Sequence, residues 1–161
     1  MLELQRVRTG QAKVPSSALP AGSDRVPSCP PVAADPATGE QSSDVIGGTF
    51  SYRDDSPGAQ TPQGALDEFR RAENERQRAF DEDARAHGQP RPQPARRDQV
   101  RYERATATDD GRHVRFIGKD GGGGAALVIV EVSNVGTADA PRWLAEGYLV
   151  CADYLNKGGE L

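Results

Sequence analysis

Large apolar side chains are scarce in this sequence and unevenly spread, and that bounds what it can fold into. Leu, Ile, Val and Phe account for 28 of 161 residues, about 17%, a share at which burial barely offsets the entropy of ordering a chain. Residues 99–155 hold 14 of the 28, so the core is expected there and the first third should contribute little to it. The formal net charge is only −4, so self-repulsion is not what keeps the remainder open. No apolar run approaches the ~20 residues needed to span a bilayer, and no transmembrane segment is expected.

Local pattern refines this division. Residues 1–62 contain 8 Pro, 6 Gly and 8 Ser, which predicts a largely flexible segment over 1–43 ahead of a small domain over 44–161. Within it, DVIGGTFSYR (Asp44–Arg53) gathers Val45, Ile46, Phe50 and Tyr52, as a short strand or a packed arm. Thr61-Pro62 marks a helix start, with a capping hydroxyl followed by a residue whose missing N–H costs nothing at the first helical position. The helix is expected over 62–86, with Leu66, Phe69, Phe80 and Ala84 on one side. Of the 19 residues from Asp67 to Arg85, 12 are charged, so the stripe is narrow and the later turns are solvated. Gly88, Pro90, Pro92 and Pro94 end the helix and form a stiff connector.

Beyond residue 98 the period changes to two. Strands are expected at about 99–107, 113–118, 125–133 and 142–152. Asp109-Asp110-Gly111 supplies the turn of a hairpin. Ala126–Val132 (ALVIVEV) is apolar on both faces until Glu131 and should lie centrally. In the last strand a strict alternation would put Trp143 with Leu149 and Cys151, and Leu144 with Tyr148 and Val150. The fold class predicted is α+β: one N-terminal helix on an antiparallel meander of about four strands.

Few residues suggest chemistry. KDGGGGA (Lys119–Ala125) leads into a strand and lacks the GK[ST] of a phosphate loop, so it reads as a loose reversal. His87 and His113 lack the further ligands a metal site needs. No serine sits in a nucleophile elbow. No catalytic, metal-binding or cofactor-binding residue is therefore assigned. Lys and Arg are matched by acids in every third of the chain, and Arg91, Arg96 and Arg97 form only a small cluster, so nucleic acid is not an expected partner. Trp143 and Tyr148 are candidates for protein recognition if either ring is exposed. Cys29 and Cys151 either form a bridge, closing most of the chain, or are two unrelated thiols with Cys151 buried as a small hydrophobe.

The order of Cys29, the segment Tyr52–Gly58, a TPxxAL helix start (Thr61, Pro62, Ala65, Leu66), a DG turn and a last strand with Trp143 and Cys151 resembles a known group. These are small, mostly uncharacterised exported or lipoprotein-type domains of high-GC Gram-positive bacteria. The resemblance implies an extracytoplasmic domain with a Cys–Cys bridge and supplies no catalytic residues. Against export, the opening MLELQRVRTGQAKV has no apolar core or cleavage site of a leader. Three functional expectations follow. The first is a non-enzymatic accessory or protein-binding module of the envelope or secreted space, held by Cys29–Cys151. The second is a cystatin-like carrier or enzyme with an apolar cavity, using Glu131, Glu146 and His113. The third is a cytoplasmic partner-binding protein that docks through its charged helix.

Overall fold

The computed structural model describes residues 27–32, 34, 36–40, 44–89, 100–107, 110–120, 124–156 and 158–161. Most of the segment expected to be flexible, the Pro-rich connector with Arg91, Arg96 and Arg97, and the glycines at 121–123 lie outside the described residues. The elements are β1 (Val45–Thr49), α1 (Pro62–Ala86), β2 (Arg101–Ala107), β3 (His113–Lys119), β4 (Ala126–Asn134), β5 (Trp143–Cys151) and α2 (Ala152–Asn156). The strands form one antiparallel sheet in the order β1-β5-β4-β3-β2. The architecture is thus α+β, and the meander carries a fifth strand. β1 comes from the DVIGGTFSYR stretch and pairs with β5, Val45 opposite Cys151 and Thr49 opposite Gly147.

The helix start follows its sequence signal. The Thr61 hydroxyl accepts the Gly64 N–H at 3.0 Å, and Pro62 opens the first turn. Ala65, Leu66 and Phe69 are buried against a face of the sheet built from rows that run across it. One row is Tyr102, Gly118, Val128, Val150 and Ile46; the next holds Phe116, Val130, Tyr148 and Gly48. Two of these positions are glycines with side chains lying close over them. A Cβ on Gly118 would fall 2.5 Å from Val100 Cγ1 and 3.0 Å from the Tyr102 ring, and one on Gly48 would fall 3.0 Å from Tyr148. Aromatic area laid over glycine thus stands in for the missing aliphatics.

Phe80 departs from the expected stripe and is 57% exposed. The reason is length. Five strands span about 19 Å, whereas 25 helical residues span about 37 Å, so the later turns outrun the sheet. The middle of α1 meets the chain's last described residues instead. The Asn74 amide pairs with the Leu161 backbone, accepting its N–H and donating to its carbonyl, both at 2.8 Å. Arg78 bonds Glu160.

β5 corrects the expected facing of Trp143 and Tyr148. Glu131 opposes Gly147 while Val132 opposes Ala145, which leaves Glu146 as an extra residue in a bulge. One added residue flips the phase of everything before it. Trp143 and Ala145 therefore join Tyr148 and Val150 in the core beneath the helix, and by the same register Leu144 falls with Leu149 and Cys151 on the opposite face.

A disulfide joins Cys29 to Cys151, with the two Cα atoms 5.1 Å apart. It holds residues 27–32 across one end of the sheet. The Ser28 N–H donates to the Ala126 carbonyl at 2.9 Å, and the Val32 N–H donates to Asp44 Oδ1 at 3.0 Å. This strap crosses β4, β5 and the approach to β1, within the stretch the composition marks as flexible.

Candidate functional site

Trp143 and Tyr148 are 8% and 5% exposed, so neither ring is presented to a partner directly. Tyr148 stacks on Phe50, ring centres 5.7 Å apart, and sits 5.3 Å from Phe69. Phe69 meets Phe50 edge-on at 5.7 Å. Phe50 and the Tyr52 ring beyond it, 6.5 Å away, are only partly buried. The aromatic core therefore reaches the surface along residues 50–52.

That exit is held open by the chain around it. Phe50 donates its N–H to the Glu146 carbonyl at 2.8 Å, so the bulge also steers the end of β1. Further along, Ala59 and Trp143 exchange backbone hydrogen bonds at 2.9 and 2.8 Å. The Arg142 guanidinium clasps the Ser56 carbonyl through two donors. The segment from Phe50 to Ala59 thus runs fixed beside the first turns of α1. Between them lies a groove walled by Phe50 and Tyr52 on one side and by Phe69, Glu68 and Glu73 on the other, with Trp143 at its base. Its volume is about 40 Å³, room for one or two waters, against the several hundred cubic ångströms that enclose a small-molecule ligand.

The groove is electrically negative. Tyr52 has its hydroxyl pKa pushed well above the ordinary value, first by burial and then by the charges of Glu68, Glu146 and Glu73. Glu73 is 9% exposed and accepts from Arg76 Nη2 at 3.0 Å. Glu68 is exposed on the adjacent turn and lines the groove. Sequence reasoning placed Tyr52 in a short strand or a packed arm and took only the later turns of the helix as solvated. The juxtaposition depends on contacts between residues 50–52, 65–73 and 143, which no local pattern reveals.

A second polar cluster lies on the opposite face of the sheet. His113 and Ser133 are cross-strand partners, and Ser133 Oγ meets His113 Nδ1 at 2.7 Å. Glu146 Oε2 lies 3.7 Å from that same Nδ1. The structure therefore brings His113 and Glu146 together, while Glu131 pairs with Arg115 one row away. An acid–base relay needs the acid on one ring nitrogen and the nucleophile on the other. Here both approach Nδ1, and Ser133 is only 2% exposed, out of reach of a substrate. The cluster fits a hydrogen-bonded tie between β3, β4 and the β5 bulge.

Among the described residues no three His, Cys, Asp or Glu side chains converge as a metal site, and no helix is long and apolar enough to cross a membrane. No family model, curated protein or solved structure matches the chain.

Proposed function

We propose that this chain is a non-enzymatic accessory module that binds another protein in the cell envelope or the secreted space. The observation that carries this reading is the bond between Cys29 and the fully buried Cys151. Disulfides persist in oxidising compartments and are rare where glutathione and thioredoxin keep thiols reduced. This one fastens the strap at 27–32 to a core short of apolar residues, the economy of a small exported domain. A partner-binding role is supported by the form of the aromatic groove, too small to enclose a metabolite and open to a single side chain of a larger molecule.

The test is the intact mass of the protein recovered from its native host, alkylated without reduction, in each cell fraction. A species lacking two hydrogens and carrying no alkyl group, in the envelope or the medium, is the expected result. Two alkyl groups on a cytosolic species would overturn the compartment and bring forward the reading in which the charged helix docks inside the cell.

A further inference from the structure

We propose that the groove between α1 and the segment Phe50–Tyr52 receives the cationic side chain, arginine or lysine, of a partner protein's exposed peptide segment. This rests on the reading of the chain as a protein-binding module and names what that module recognises.

The argument is one of complementarity. Cations are attracted to the faces of Trp, Tyr and Phe, and the attraction grows when a carboxylate lies beside the rings and water is partly excluded. The groove combines these features: rings of Phe50, Tyr52, Phe69 and Trp143, with Glu68 and Glu73 on the helix wall. Its residual charge has the right sign. Glu73 is already paired with Arg76, but Glu68 forms no ion pair or hydrogen bond among the described residues, and its charge acts on Tyr52. The Tyr52 hydroxyl likewise has no hydrogen-bond partner among the described residues. A carboxylate, a phenol and the partly exposed rings of Phe50 and Tyr52 therefore line a slot with room for the end of one side chain. A whole metabolite would exceed the slot, and an anion would meet Glu68 and Glu73. The walls are pre-organised by the Ala59–Trp143 pair and the Arg142–Ser56 clasp, so little ordering opposes binding.

The experiment titrates the full-length oxidised chain, isotopically labelled, with acetyl-Gly-Arg-Gly-amide, its lysine analogue and the neutral citrulline isostere, following amide and Trp143 indole resonances. Shifts confined to Tyr52, Glu68, Phe69 and Trp143, seen with the cationic peptides only and reduced by salt, are expected. Glu68→Gln should weaken binding at least about threefold. Asp67→Asn removes the same charge one residue earlier and should leave binding unchanged. No localised shift at about 10 mM peptide, above the millimolar range where so small a contact registers, overturns the proposal. So does an equal response to citrulline. Two other occupants would show themselves. If replacing Arg91, Arg96 and Arg97 by Gln shifts the groove resonances and tightens peptide binding, this chain's own arginines fill the groove. If the same resonances move on dilution without peptide, a second copy does. Either result replaces the proposed partner. The two proposals fail separately: a cytosolic, reduced chain that still binds the peptides loses only its compartment, whereas an oxidised envelope protein that ignores them loses only this site.

Discussion

Tyr52, Tyr102 and Tyr154 supply ring area around a core short of aliphatics, and burial desolvates the hydroxyl of each, that of Tyr102 fully. Burial is the first cause of a raised pKa in all three. For Tyr102 the rise is opposed by Arg70, whose guanidinium lies 4.8 Å above the ring centre. Tyr154, pushed up to about 12 with burial as the first cause, donates its hydroxyl to the Glu160 carbonyl, a bond that only the protonated phenol can make. In the unfolded chain these phenols ionise near the ordinary value of about 10. A folded pKa above the unfolded one means that the folded state holds protons the unfolded state has released. The stabilisation is thus complete below about pH 10 and is lost as pH climbs through the folded values. Urea midpoints should therefore fall between pH 9 and pH 11, with tyrosinate absorbance appearing together with loss of structure. Tyr52→Phe should flatten that dependence. Tyrosinate that titrates near its ordinary value while the fold persists would contradict the burial of these rings.

At the scale of the element, what the sequence makes legible is what is local. Thr61-Pro62 announces α1, and its observed span, Pro62–Ala86, coincides with the expected one. ALVIVEV reads as central because both faces are apolar, and β4 indeed lies between β3 and β5. Two features escape. For β1 it is the partner that escapes: the stretch reads as a short strand or a packed arm, and its place beside β5 is set by pairing with residues about a hundred positions later. The bulge at Glu146 escapes for a different reason: alternation in the sequence is read as two-residue periodicity, and one inserted residue is invisible until the partner strand is known. The groove inherits both failures, since the end of β1 forms one wall and the bulge decides that Trp143 faces it. This makes the bulge testable. Deleting Glu146 would restore strict alternation and swing Trp143 and Ala145 out of the core, a loss on the scale of burying nothing at an aromatic site, about 3–5 kcal/mol or more. Glu146→Gly keeps the extra residue and should cost about 1 kcal/mol or less, as surface substitutions do. Comparable denaturation midpoints for the two variants would show that the bulge does not set the facing of β5.

For the whole molecule, a thin core is compensated by a long covalent closure. The bridge spans 122 positions, so it restricts most of the unfolded chain, and the loop-entropy contribution for such a length is roughly 5 kcal/mol. That is comparable to the net stability of a typical domain. The bond also has a local task. It pins the strap at 27–32, whose remaining ties are the Ser28 and Val32 hydrogen bonds, while the centre of the sheet, from Phe116 through Val130 to Tyr148, is held by its own ladder. Reduction should therefore act in two steps of different size. The Ser28 and Val32 amides should exchange with solvent freely once the bond is cut, whereas the Val130 amide should stay protected to nearly the depth of global unfolding. Global stability should fall as well, by about 10–20 °C in Tm for a chain of this size. Cys29→Ser with Cys151→Ser should reproduce the exchange pattern and add the cost of placing hydroxyls where Cys151 is fully buried, so chemical reduction is the cleaner measurement. An unchanged Tm with free exchange at 28 and 32 would reduce the bridge to a fastener of the strap, and an unchanged exchange pattern would mean that the strap is held by packing alone.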